Sequence, residues 1–252
     1  MRRVAFVTLA LLGASLLYYV FVAGGEDDSW DRVRERGRLR VGMDASFPPF
    51  EVVDAEGQVQ GLDVDLADAL ARRLGLQLEI ANIAFDGLHD ALAGGEVDVL
   101  ISALPYEAQR TQDVRYSTPY FVDGLVWVHA AGTGEPDAGY SGPVVVEAGS
   151  EAAMLARDRL PQVTTVEVMS EGEVLARLAE TGGYGIVTRV SACALVADQG
   201  LAIGQHLTEA PYAVAANARA SRLADEIMST LAEVLESDEW MAIRRRWLGE
   251  AC

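Results

Sequence analysis

Basic residues are few in this chain. Twenty of them stand against 38 acidic ones, a formal charge of −18, and three stand in an unbroken row only at 244–246. Such a surface repels a phosphate backbone, which argues against nucleic acid as a partner. Cysteine is scarcer still. Cys193 and Cys252, with the scattered His89, His129 and His206, fit no metal-ligand spacing, so no metal is expected. The two thiols read as structural or incidental, and spacing leaves open whether they pair. Cofactor motifs, low-complexity segments and short-period repeats are also missing, so no cofactor and no repeat architecture is expected.

One long apolar run is present, at the N-terminus. Arg2 and Arg3 precede 20 uncharged residues, Val4 to Ala23, followed by Gly24, Gly25 and an acidic stretch. Residues 1–25 read as a signal peptide or an uncleaved signal anchor. The run exceeds the usual signal core and reaches the roughly 20 residues needed to cross a bilayer. With positive charge held inside, the body after residue 25 is expected on the outer face of the membrane.

The remaining chain alternates short apolar runs with amphipathic stretches, an α/β pattern. "RLRVGM" (38–43), "LQLEIA" and "VDVLIS" (97–102) read as strands. Between them, "LDVDLADALARRLG" (62–75) and "FDGLHDALAGG" read as helices ending at glycine. "GLVWVHA" (124–130) reads as a strand passing to a second α/β set, which runs through "PVVVEA", "SEAAMLARDRL", "VTTVEVM", "EGEVLARLAETGG", "GIVT" and "SACALVADQG". "APYAVAAN" (210–217) reads as one returning strand, followed by two amphipathic terminal helices. The expected architecture is two α/β lobes with central mixed sheets joined by two hinge strands. Lobe 1 spans 37–124 plus 213–250 and lobe 2 spans 128–208, with a cleft between them. Asp63, Asp65 and Asp68 are close in sequence, but helical spacing turns Asp63 and Asp65 to different sides. They read as acids favoured at a helix N-terminus rather than as metal ligands.

Several ordered signals accumulate: "GRLRVGMDASFPPFEVVDAEGQVQGLDVDLADALARRLG" (37–75), "FDGLHDALAGGEVDVLIS", an arginine six residues before "YSTPY", "SGPVVVEAGS" (141–150) and a terminal "RRRWLG". Together they resemble the type II periplasmic solute-binding proteins of the amino-acid class, family 3, over residues 37–249. The resemblance implies two lobes closing on a small carboxylate-bearing ligand, an amino acid or related organic acid, and delivery to an ABC permease in the membrane. It implies a monomeric binding protein, not an enzyme. Two alternatives share the scaffold: a cyclohexadienyl-dehydratase-like enzyme using Glu147 or Glu107 as its acid, and a membrane-tethered sensor.

By the same resemblance, Arg110 grips the ligand carboxylate, a task suited to a planar guanidinium fork. On the residues alone, Arg110 could instead pair with Glu107 or Asp113. Gly149, Ser150 and Glu151 would present helix N-terminal N–H groups to the carboxylate. Phe47 and Phe85 would sandwich the apolar part of the ligand, Phe50 reads as core, and Asp44, Ala103 and Glu147 would face the cleft. Three positions depart from the family. Pro105 stands where a hydroxyl is usual and Glu107 where a capping Thr is usual. Arg189 replaces the Asp that would neutralise an α-ammonium. Two arginines in one cleft would favour a second anion on the ligand, unless Glu147 cancels Arg189.

Overall fold

The computed structural model describes residues 27–250 except 138, 197 and 198. The N-terminal apolar run and Cys252 lie outside the described residues. Among the described residues, no helix is long and apolar enough to cross a membrane.

The chain enters through α1 (Ser29–Arg36), which stops at Gly37 in the left-handed conformation, φ 71°. β1 (Arg38–Met43) follows and buries Leu39, Val41 and Met43 completely. Short strands β2 (Ser46–Phe47), β3 (Glu51–Val53) and β4 (Val59–Gln60) form a small antiparallel sheet. Helix α2 (Leu62–Arg73) then lays Leu62, Leu66, Ala69 and Leu70 onto the core. β5 (Gln77–Asn82) pairs parallel with β1, and so does β6 (Val99–Leu100) from the other side after α3 (Leu88–Ala93). With β7 (Val114–Tyr116) and β15 (Ala215–Asn217), the first sheet has the order β5-β1-β6-β15-β7.

The second sheet repeats this plan. β9 (Leu125–Ala130), β10 (Pro143–Glu147), β11 (Thr164–Val168), β12 (Tyr184–Thr188) and β13 (Leu201–His206) are ordered β11-β10-β12-β9-β13. Three helices cover it: α4 (Glu151–Arg159), α5 (Glu171–Thr181) and α6 (Arg189–Leu195). Ser150 caps α4 by accepting from the Ala153 N–H at 3.2 Å, and Ser170 caps α5 by accepting from Glu173 at 3.2 Å. Glu173 reaches back to the Met169 N–H at 3.0 Å, closing a reciprocal cap. Helices α7 (Ser221–Leu235) and α8 (Asp238–Leu248) return to the first core, where Leu231, Val234 and Trp240 are buried.

Between the sheets lies a two-stranded ribbon, β8 (Phe121–Asp123) against β14 (Ala210–Tyr212), antiparallel. The chain passes to the second sheet through Gly124 and returns through Thr208. At Gly124 the backbone has φ 117°, and a Cβ there would sit 2.3 Å from the Thr208 carbonyl oxygen. Only glycine fits this crossing.

Two expectations about strands are corrected, and one strand is added. The run 97–102 is a strand only over Val99–Leu100, because the Asp98 carboxylate accepts from the Arg40 N–H at 2.8 Å and pairs with Arg36 and Arg40. The run 210–217 is two strands in different sheets, divided at Ala213 and Val214. The edge strand β13, not foreseen, pairs with β9 through a register shift between Ile203 and His206. Cys193 is buried and disulfide-bonded.

Candidate functional site

In the first sheet β5, β1 and β6 run parallel, so their C-terminal ends share one edge, the place where open α/β sheets bind ligands. Asp44 follows β1, Phe85 follows β5, and Ser102 and Ala103 follow β6. These residues, with Ser46, Phe47, Glu51, Pro105 and Tyr212, line a cavity of about 320 Å³. Phe47 and Phe85 are 42% and 46% exposed, rings left open to solvent at the mouth of the cavity. Phe47 stacks on the buried Phe50, with centroids 5.6 Å apart and planes 7° apart. Phe50 in turn meets Phe121 and Tyr212 edge-on at 5.3 Å. The aromatic floor is therefore continuous with the ribbon between the sheets. Burying a side chain such as Phe50 contributes about 1.5–3 kcal/mol, which anchors the floor.

Hydrogen bonds fix the acids of this edge. Asp44 accepts from the Phe85 N–H at 2.9 Å, holding the second aromatic in place, while its own N–H donates to Ser102 Oγ at 2.9 Å. Ser102 Oγ–H donates to Glu51 Oε1 at 2.8 Å. Beside Glu51 lies Asp63, whose Oδ2 accepts from the Ala103 N–H at 2.6 Å and the Tyr120 hydroxyl at 2.8 Å. Glu51 is 1% exposed and Asp63 fully buried. Glu51 Oε2 and Asp63 Oδ1 have no donor. Burial, then the neighbouring Asp63 carboxylate, pushes the Glu51 carboxyl up to about 10. Burial also raises Asp63 above the usual carboxylate range, and Tyr120 well above the usual phenol range. Ala103 sits at φ 38° between Ser102 and Leu104, where the chain leaves β6 and gives its N–H to Asp63.

The structure brings Asp44, Phe47, Phe85, Ala103 and Pro105 to this one cavity. Arg110 is elsewhere. It is exposed on a short 3-10 turn, its Nε donates to Glu107 at 2.8 Å, and it lines a neighbouring depression with His89, Asp90 and Arg219. Glu107 thus supplies a charge partner, not a cap. Burial, then the Arg110 charge, lowers the His89 pKa.

On the second sheet, β10, β11 and β12 are parallel, so Glu147, Gly149, Ser150 and Glu151 stand with Ser170 and Thr188 at its C-terminal edge. Gly149 has φ 73°, Ser150 Oγ also donates to the Glu147 carbonyl at 2.7 Å, and Glu151 is exposed. Glu171 bridges this edge, accepting from the Thr188 N–H and hydroxyl, both at 2.7 Å.

Arg189 is not among the residues that line this cavity at the first sheet's edge. Its Nη1 donates to the Val122 carbonyl at 2.8 Å, its backbone N–H to Gly124 at 2.8 Å, and its guanidinium lies over Phe121, 5.0 Å from the ring centroid. Burial and the Arg244 charge lower its pKa. Next to it Asp123 accepts from the Val190 N–H at 3.1 Å and the Tyr212 hydroxyl at 2.9 Å. This arginine braces the start of α6 on the ribbon.

Sequence reasoning missed Glu51, Ser46, Ser102 and Tyr212. Glu51 closes the quoted "FPPFE", and an acid directly after an apolar run was the available signal. Asp63 was read as a helix-end acid, yet its contacts are to Ala103 and Tyr120, 40 and 57 residues away.

Comparisons with known proteins agree on the family. Residues 39–250 match the bacterial extracellular solute-binding proteins, family 3. A putative ABC transporter arginine-binding protein of Escherichia coli is 32% identical over 129 residues, 51% of this chain and 53% of the relative. A cyclohexadienyl dehydratase of Pseudomonas aeruginosa is 31% identical over 120 residues, 48% of this chain and 42% of the enzyme. The chain thus spans about half the length of the curated relatives it matches. Among solved structures, the unliganded open L-cystine solute receptor of Neisseria gonorrhoeae shares the fold at a TM-score of 0.75 and 17% identity, covering 89% of this chain and 98% of the receptor. Matched by the family along almost all of its described length, with two like sheets and a cleft-edge cavity, the chain belongs to the family 3 extracellular solute-binding proteins.

Proposed function

We propose that this chain captures an amino acid or a related carboxylate-bearing ligand between two closing lobes and delivers it to an ABC permease. The observation that carries the reading is the cavity at the first sheet's edge, lined by two exposed phenylalanines and by Asp44. Exposed aromatic rings held by a rigid floor suit the apolar part of a small ligand. The ribbon of β8 and β14, crossed at Gly124, is the hinge, and lobes of 37–124 plus 213–250 and 128–208 move about it. On closure the helix N-terminal N–H groups around Gly149, Ser150 and Glu151 meet the ligand carboxylate. Arg110 leaves Glu107 for the same carboxylate. Residues 1–25 direct the body to the outer face of the membrane, where it works as a monomer.

A thermal-shift screen of the purified protein against amino acids, dicarboxylates and keto acids tests the reading. A ligand at 100 times its Kd stabilises by about 2.7 kcal/mol. Arg110→Ala then weakens the identified ligand by about tenfold or more, since one arm of its carboxylate clamp is gone. A screen in which nothing stabilises the protein sinks the binding reading. Release of carbon dioxide from a cyclohexadienyl acid would favour the dehydratase instead.

A further inference from the structure

Glu51 and Asp63 form a buried pair of acids with no basic side chain among their hydrogen-bond partners. The fixed donors reaching them are all neutral: Ser102 Oγ–H, the Ala103 N–H and the Tyr120 hydroxyl. One oxygen on each carboxyl is left without a donor. Two bare carboxylates side by side in such a place would repel each other and lack solvation, so a proton held by the pair is the species the surroundings favour. The other titratable groups facing the pair add no positive charge. They are Asp44 after β1, Tyr120 before β8 and Tyr212 on β14, and all three act on Glu51 or are acted on by it.

One member of the pair, Glu51, is also a wall of the cavity. Glu51, Ser102 and Ala103 all line it, Asp44 is the only other acid among the lining residues, and no arginine lines it. Two exposed aromatic faces, Phe47 and Phe85, stand at the same cavity, a setting that attracts a cation.

We infer that the Glu51–Asp63 pair is a proton-for-cation exchange site: protonated while the cleft is unliganded, it releases its proton to solvent when a ligand sets an ammonium or guanidinium against the Glu51 side of the cavity. The charge of the wall is unchanged by the exchange, because a ligand cation replaces the proton. Neutral isosteres gain no such partner. The inference rests on the proposed binding function and specifies which ligand charge that site takes.

The experiment compares L-arginine with L-citrulline, in which a neutral urea replaces the guanidinium. Calorimetric titrations at pH 8 in two buffers of different ionisation enthalpy count the protons released. The expected result is about one proton released by arginine and none by citrulline, with citrulline at least tenfold weaker. Glu51→Gln keeps an acceptor for Ser102 and offers an N–H to Asp63, so it folds but releases no proton. Equal proton counts for the two ligands, or failure of arginine to bind while other amino acids do, overturns the exchange and leaves the binding function standing. Infrared spectra without ligand give a separate reading: the C=O stretch of a protonated carboxyl at pH 8, lost in Glu51→Gln, supports the pair, and its absence from the wild type overturns it.

Discussion

The two sheets are built alike and furnished differently. In each, three parallel strands stand beside an antiparallel neighbour, β5-β1-β6 beside β15 and β11-β10-β12 beside β9, so each sends its strand ends and helix starts to one edge. At the first edge, side chains do the work. Glu51, Ser102 and Asp44 are locked to one another and to Phe85, and Asp63 to Ala103 and Tyr120, over a floor of Phe50, Phe121 and Tyr212. At the second edge backbone N–H groups and their caps, Ser150 and Ser170, dominate, and the core behind them is mostly valine and leucine. Locked side chains can discriminate between ligands, whereas helix N-termini accept most anions. Under the proposed binding function, the first half is the selective wall and the second the closing clamp.

The sharpest way to break this comparison is a matched pair of glycine substitutions. Gly61 has φ 147°, and a Cβ there would lie 2.0 Å from the Phe50 carbonyl, whereas a Cβ on Gly172 in α5 meets nothing nearer than Ser170 Oγ at 3.8 Å. Gly61→Ala is expected to lower stability by about 3 kcal/mol in urea unfolding, because it pushes α2, and Asp63 with it, away from the wall. Gly172→Ala is expected to raise stability by about 0.4–1 kcal/mol. Equal effects would show that the first edge is no more tightly packed than the second.

A smaller effect is expected from pH. The unfolded chain loses the Glu51 proton near the model-peptide value of 4.5, while the folded protein keeps it to about 10. Between those values the native state binds more protons, so this group's contribution to stability falls as pH rises through the window. Glu51→Gln is expected to flatten that slope and to be more stable than wild type at pH 8 by about 1–3 kcal/mol. A variant with the wild-type slope would place the pH dependence outside the first edge.

The smallest effect belongs to the second edge. Ser150→Ala removes one cap and is expected to cost about 1 kcal/mol in thermal unfolding, with a further loss of affinity for a carboxylate ligand. Unchanged affinity alongside the expected stability loss would show that α4 does not clamp.

Much of the frame was legible because it is local. Leucines at helical spacing and a closing glycine gave α2, and a serine before an acidic turn gave the start of α4, with errors of a residue or two at the ends. The cavity was legible in part for another reason: Asp44, Phe47 and Phe85 stand where strands end, and strand ends in an α/β sheet converge. Arg189 shows the limit. Its place after "GIVT" was right, since it follows β12, but residue order says nothing of where a long side chain turns. Here the Val122 carbonyl and the Phe121 face, 67 and 68 positions away in the chain, draw it to the ribbon.

By itself the amino-acid sequence determined the alternation of elements and the two-set α/β plan, since propensity, caps and hydrophobic period act over a few residues. Tertiary structure alone decided that 210–217 divides between ribbon and sheet and that Glu51 lies beside Asp63. Those outcomes depend on groups distant in the chain being dehydrated together, and the energy of a buried charge or hydrogen bond is set by the neighbours that folding supplies.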